Sequence, residues 1–244
     1  MDGMALDGRT AVVTGGAGGI GRAICTDLAA LGARVVVADL DRTAAEEVAD
    51  GIGGTAAHVD LADPASIDTF TAGTGPVDVL VHNAGVSIVE PFTASDPADW
   101  DLMWRVNLRA PMQLTRALLP GMTERGWGRL VFVSSDGARA GSGGEGAYAA
   151  TKSGLFGLAK TLAREAAAGG VTSNVVCPGP TDTPMVRAVS DRHPDLLGRL
   201  AKQIPLRRIG RPDDVAGLIA FLCTDRAGYI TGQTISVSGG ITMQ

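Results

Sequence analysis

The sequence predicts a single α/β domain over residues 1–244, a doubly wound sheet of about seven parallel strands with helices on both faces. Three observations predict it. Short apolar runs alternate with stretches of helical period along the whole chain. A glycine-rich turn, Gly15-Gly16-Ala17-Gly18-Gly19-Ile20-Gly21, joins the first run to the first helical stretch. No Pro/Ser-rich linker and no fixed-period repeat divides the 244 residues.

Thr10-Ala11-Val12-Val13-Thr14 is the first strand. After the glycines, Ile20, Ile24, Leu28 and Leu31 recur on one helical face. Strand, glycine turn and helix together make a phosphate-binding device. Glycine allows the tight turn and close backbone approach, and the helix N-terminus offers free N–H groups and a positive dipole end. The second run, Ala33 to Ala38, ends in Asp39, 18 residues after Gly21, near the spacing of an acid that accepts the two hydroxyls of a ribose. Such a carboxylate favours NAD and repels a 2′-phosphate, and nearby Arg42 would weaken that exclusion. The other use of an acid here is to cap the next helix, which Asp41 fills equally well.

A helix over about 42–52, a short strand from Thr55 to Val59 ending at Asp60-Leu61, and a helix opened by Asp63-Pro64 come next. After the loop Gly73-Thr74-Gly75-Pro76, the buried-type strand Val77 to Val81 ends at His82-Asn83-Ala84-Gly85. A long helix is predicted over about 97–124, with Pro111 and Pro120 as kinks and Asn107 inside it among apolar neighbours. Leu130 to Val133 is the strand that ends at Ser134-Ser135, followed by a loop from Asp136 to Gly146. Tyr148 and Lys152, four apart, share one face of the next helix, which runs to about Ala168. Val171 to Cys177 is the sixth strand, residues 185–204 read as an amphipathic insert, a helix starts at Arg211-Pro212, and Thr234 to Val237 is the last strand.

The chemistry concentrates at Ser135, Tyr148 and Lys152. A free Tyr, with a pKa of about 10, is a poor base at neutral pH. A Lys ammonium beside it would favour the phenolate and lower that pKa. A Ser hydroxyl at a strand end can hydrogen-bond the oxygen on which the Tyr acts.

Composition bounds the alternatives. The chain is 45% hydrophobic and 19% charged, with a formal net charge of −5, which argues against nucleic acid or an anionic membrane as the main partner. Its 34 glycines are about twice the usual share of roughly 7%. Cys25, Cys177 and Cys223 are odd in number and far apart, so neither a disulfide framework nor a zinc site is expected, and a reducing, cytoplasmic compartment is. Asp2 and Asp7 stand where a signal peptide would be positive. No His/Asp/Glu/Cys group has metal-ligand spacing, so no metal is expected in the reaction.

These motifs resemble the short-chain dehydrogenases/reductases along essentially the whole chain. Thr14-Gly15 with Gly19-Ile20-Gly21 matches the family's T-G-x-x-x-G-I-G, and His82-Asn83-Ala84-Gly85 matches N-N-A-G with His in the first position. Asn107, Ser135, Tyr148 and Lys152 match the catalytic tetrad in order and spacing. The resemblance implies a Rossmann fold, a homotetramer, and cofactor contacts at Gly15, Gly18, Gly19, Ile20, Gly21, Asp39, Leu40, Asp60, Leu61, Asn83, Ala84, Gly85, Tyr148, Lys152, Pro178, Gly179, Thr181 and Thr183. Asn107 would hold a water linking Lys152 to solvent. Gly18 occupies a site where NADP-preferring relatives carry a basic residue, which agrees with NAD. The tetramer contacts would come from the helix bearing Trp100 and Trp104, the Tyr148 helix and the last strand. Within the family, S-S-D-G-A-R-A-G-S-G-G-E-G-A-Y and three later stretches resemble the cyclic 2-hydroxyacyl-CoA dehydrogenases, typified by 2-hydroxycyclohexanecarboxyl-CoA dehydrogenase. The expected activity is NAD-dependent hydride transfer between a secondary alcohol and a ketone. The substrate is a small molecule, either such a CoA thioester or, as the alternative, that of a 3-oxoacyl-carrier-protein reductase or general ketone reductase. A protein that binds NAD without turnover would not need the tetrad.

Overall fold

The computed structural model describes residues 3–184, 186–187 and 196–243. Its centre is one sheet of seven parallel strands in the order β3-β2-β1-β4-β5-β6-β7. The strands are β1 (Thr10–Thr14), β2 (Arg34–Asp39), β3 (Thr55–His58), β4 (Val79–His82), β5 (Gly128–Val133), β6 (Val171–Pro178) and β7 (Thr234–Val237). The chain walks outward from β1 to β3, returns to pair β4 with β1, and continues to the other edge. That reversal leaves a crevice beyond the carboxyl ends of β1 and β4, where open α/β sheets take their ligands.

Alternate strand residues face opposite layers. Ala11, Val13, Val35, Val37, Val79 and Val81 pack with α1 (Gly19–Ala30), α2 (Arg42–Ile52) and the helix Pro212–Leu222. Val12, Leu80, Leu130, Phe132 and Val175 pack on the other face with α3 (Pro64–Gly73), α5 (Ala110–Glu124) and α7 (Gly146–Glu165). Burying a side chain such as Leu80 or Leu130 contributes about 2 kcal/mol. Both faces are covered, which is why the strands read as continuous apolar runs rather than alternating ones.

The expected long helix is interrupted. α4 (Pro97–Trp104) and α5 are joined by a π-turn, Arg105–Arg109, centred on Asn107. Pro111 lacks the N–H that would return to the Asn107 carbonyl four residues earlier, so regular helical bonding cannot continue there. The Asp136–Gly146 loop contains one helical turn, α6 (Gly137–Ala140). The Tyr148 helix ends at Glu165 and is followed by a 3₁₀ turn, Ala167–Gly169. The 185–204 insert ends in α8 (Leu196–Gln203), before α9 (Pro212–Leu222). Met185 and residues 188–195, with Arg192 and His193, lie outside the described residues. Among the described residues no helix is long and apolar enough to cross a membrane.

His82, the departure from N-N-A-G, turns into the core. Its ring stacks on Phe132 with centroids 4.6 Å apart, and Nε2 lies 2.9 Å from Thr115 Oγ1. Burial, with a smaller contribution from Lys152, pushes its pKa down to about 3. The unfolded imidazole takes up a proton near its ordinary value of about 6.5 and the folded one does not, so stability is full above that value and is lost as pH falls toward 3. Denaturant titrations should show up to about 2 kcal/mol of stability lost from this residue between pH 7 and pH 5, and His82→Asn should remove that part of the slope.

Candidate active site

The glycine turn is held from both sides. Asn83 Nδ2 donates to the carbonyls of Thr14 (3.1 Å) and Gly15 (2.9 Å), and Ala84 N donates to Thr14 Oγ1 (3.3 Å). On the β2 side, Asp39 accepts from Ala17 N at 3.0 Å and from Asp41 N at 3.1 Å. Asp41 caps α2 by accepting from Ala44 N, which leaves Asp39 out of helix capping. Gly15 has φ +62°, and a Cβ there would lie 2.8 Å from Ala84 Cα. A Cβ on Gly21 would lie 2.0 Å from the Gly15 carbonyl oxygen, whereas one on Gly18 would meet only that oxygen, at 3.5 Å. Gly18 caps α1 with no side-chain hydrogen bond, so the first N–H groups of a twelve-residue helix face the crevice without a side-chain partner. This cradle fits a pyrophosphate.

The remaining expected contacts ring the same strand ends. Asp60 Oδ1 accepts from Ala62 N at 2.8 Å, Leu61 packs into the second core layer, and Leu40 is exposed beside Asp39. Gly179 N donates to Val237 O, which pins the segment after Pro178 against β7. Thr181 is buried and its hydroxyl donates to Gly179 O, so its side chain holds this segment rather than facing the crevice. Thr183 comes across to the glycine turn: a Cβ on Gly19 would lie 3.3 Å from Thr183 Cγ2 and from Pro184 Cδ.

β5 delivers Ser134 and Ser135 beyond the sheet end, and α7 packs Tyr148 and Lys152 against them. Ser134 Oγ donates to the Lys152 carbonyl at 2.9 Å and locks helix to strand. Ser135 Oγ accepts from Gly137 N at 3.1 Å. Asn107, fully buried, accepts from Val86 N (2.8 Å) and donates to Val86 O (2.9 Å) and Thr151 Oγ1 (3.1 Å). Its side chain is thus committed to positioning the strand exit. The contacts of Thr14, Ser134 and Thr151 were not foreseen; Thr14 is signalled only as the first residue of the glycine motif, and Ser134 and Thr151 only by their places beside Ser135 and Lys152.

The electrostatics reverse one expectation. Lys152 Nζ donates to Val133 O at 2.8 Å and Ala84 O at 3.4 Å, and lies 6.0 Å from the Tyr148 ring centroid. Burial pushes the Lys152 pKa down to about 8. Burial, aided by the Glu145 carboxylate and opposed by the Ser135 hydroxyl, pushes Tyr148 up to about 12. Near neutral pH, Tyr148 therefore holds its proton as an acid, and Lys152 sits near its own titration point. A Cβ on Gly85 would lie 2.9 Å from Lys152 Nζ, so a side chain there would push the ammonium from its present position.

The glycine geometry yields a paired expectation. Gly15→Ala forces a left-handed residue, at about 1–2 kcal/mol, into contact with Ala84, and should weaken nicotinamide dinucleotide binding about tenfold or more in a fluorescence titration. Gly18→Ala should bind within about twofold of the unaltered protein.

A family model described as enoyl-(acyl carrier protein) reductase matches residues 15–242. The chain is 38% identical over 246 residues to the 3-oxoacyl-(acyl-carrier-protein) reductase of Escherichia coli K12, covering 98% of this chain and 100% of that protein. It is 42% identical over 239 residues to the acetoacetyl-CoA reductase of Rhizobium meliloti 1021, covering 95% and 98%. A crystal structure of a protein assigned as an NAD(P)-dependent gluconate 5-dehydrogenase from Beutenbergia cavernae, with NADP bound at low occupancy, superimposes with a TM-score of 0.89 at 36% identity over 98% of each chain. These relatives do not support the narrower resemblance to cyclic 2-hydroxyacyl-CoA dehydrogenases. With the strand order, the glycine cradle and the Ser135–Tyr148–Lys152 group on one crevice, the chain belongs to the short-chain dehydrogenase/reductase family of nicotinamide-dependent oxidoreductases.

Proposed function

We propose that this protein interconverts a ketone and a secondary alcohol with NAD(H), and that its substrate class is a 3-oxoacyl thioester. One observation carries the reaction class: Lys152 Nζ, one helical turn from Tyr148, bonds the carbonyl of Ala84, the residue packed against Gly15 of the glycine cradle, so the tyrosine–lysine pair and the cradle share one crevice. The names of the 3-oxoacyl-(acyl-carrier-protein) and acetoacetyl-CoA reductases support the substrate class. NAD over NADP is supported by Asp39, whose carboxylate is anchored where a 2′-phosphate would come, and by Arg42, whose guanidinium pairs with Glu46 at 2.9 Å.

A nicotinamide dinucleotide held by the Gly15–Gly21 turn would supply or receive the hydride. In reduction, Tyr148 Oη gives its proton to the substrate oxygen, and Ser135 Oγ donates a hydrogen bond to the same oxygen as charge develops there. Lys152 Nζ, anchored on the Val133 and Ala84 carbonyls, favours the phenolate by its charge, and the phenolate regains its proton from solvent. In oxidation the proton moves the other way. The assembly we propose is a homotetramer, with Trp104 (48% exposed) and Met112 (46%) among the covered side chains. Trp100, the other tryptophan of α4, stacks on Phe92 at 5.4 Å and donates to Ser95.

Two measurements test this. Acetoacetyl thioesters should be reduced faster with NADH than with NADPH, and Tyr148→Phe should lower kcat about 10³-fold while still binding NADH. Light scattering should give four copies per particle, and Trp104→Asp should lower that number; a monomeric unaltered protein would overturn the assembly.

A further inference from the structure

The substrate side of the site contains an acid that the proposed reaction does not use. Glu145 is half-buried and directly precedes α7. Its Oε2 lies 3.3 Å, and Ser135 Oγ 3.4 Å, from the single point where a Cβ on Gly137 would sit. The carboxylate and the hydroxyl that holds the substrate oxygen therefore face the same small space. Glu145 Oε1 accepts from Ser87 Oγ at 3.3 Å. Among the described residues no Lys, Arg or His forms an ion pair with it. The nearby acid Asp136 is turned away, accepting from Ser236 Oγ at 2.6 Å.

Among the described residues the side chain makes one tie to the fold, the hydrogen bond from Ser87. It makes no capping hydrogen bond to α7, and the helix uses only the Glu145 backbone carbonyl, which accepts from Ala149 N at 2.7 Å. A negative charge at the start of a helix is favourable, so the fold tolerates the carboxylate without needing it. What the charge does affect is whatever substituent of the reacting carbon lies against Gly137.

We infer that Glu145 is a charge filter at the substrate site, rejecting substrates with a carboxylate beside the reacting keto group and admitting their neutral esters and thioesters. The physical cause is like-charge repulsion at short range in a partly dehydrated pocket. A 3-oxo acid and its thioester differ little in shape near the keto carbon, so packing alone separates them poorly. A fixed anion separates them by charge. The inference rests on the ketone-reductase reading above.

The test is the ratio of kcat/KM for acetoacetyl-N-acetylcysteamine, a neutral thioester, to that for acetoacetate, both with NADH. Any effect of Glu145 on Tyr148 or on folding is common to the two substrates and cancels in the ratio. The unaltered protein should prefer the thioester, and Glu145→Gln and Glu145→Ala should each lower the ratio about tenfold or more, mainly through a lower KM for acetoacetate. A ratio within twofold of the unaltered protein in both variants overturns the charge filter and leaves the reductase reading standing. An unaltered protein that reduces neither compound overturns that reading and the filter with it.

Discussion

The contact between the Gly15 turn and the β4 exit governs this molecule. Backbone meets backbone there: Ala84 approaches a glycine whose positive φ no other residue takes cheaply, and Asn83 bonds the Thr14 and Gly15 carbonyls. The reversal of strand order makes β1 and β4 neighbours, and this contact sets how closely their ends approach. The aim of α1, the reach of Lys152 past Gly85 and the position of Thr183 over Gly19 all depend on it.

A second constraint is dehydration. Tyr148, Lys152 and His82 are titratable groups placed at or beneath the ends of buried strands, and burial is the largest influence on each. Burial disfavours whichever form is charged, so it raises the phenol and lowers the lysine and the imidazole. The site therefore starts from a neutral phenol and a lysine that shares its proton easily. Polar neighbours are arranged by backbone groups rather than by ion pairs: Val133 and Ala84 for Lys152, Val86 for Asn107, Gly137 for Ser135.

Much of this was legible in the residues. The alternation of apolar runs with helical periods required a parallel sheet covered on both faces. Strand starts and ends read from Val/Ile/Leu runs agree with those observed to within about two residues, the usual uncertainty of such limits. The break at Asn107 was half-visible: Pro111 announced a disturbance, but its form as a π-turn depends on Asn107 bonding Val86 and Thr151, residues 21 behind and 44 ahead in the chain. The same holds for Asp39 against Asp41. Either acid suited either role from spacing alone, and the N–H groups of Ala17 and Ala44 divided them.

By itself, the sequence determined the fold class and the glycine turn between β1 and α1, and it put Ser135, Tyr148 and Lys152 forward as candidates, because these follow from local periodicity, glycine sterics and short spacings. Only the tertiary structure decided the direction in which Tyr148 is shifted, the partners of Lys152 and the placing of Glu145 beside Ser135. Helical spacing brings Tyr148 and Lys152 to one face but does not say which carbonyls will compete for the ammonium. Nor does it say how much water will be removed from the phenol. Charge state depends on desolvation and on distances between segments remote in the chain, and those quantities exist only once the sheet and its helices have closed around the site.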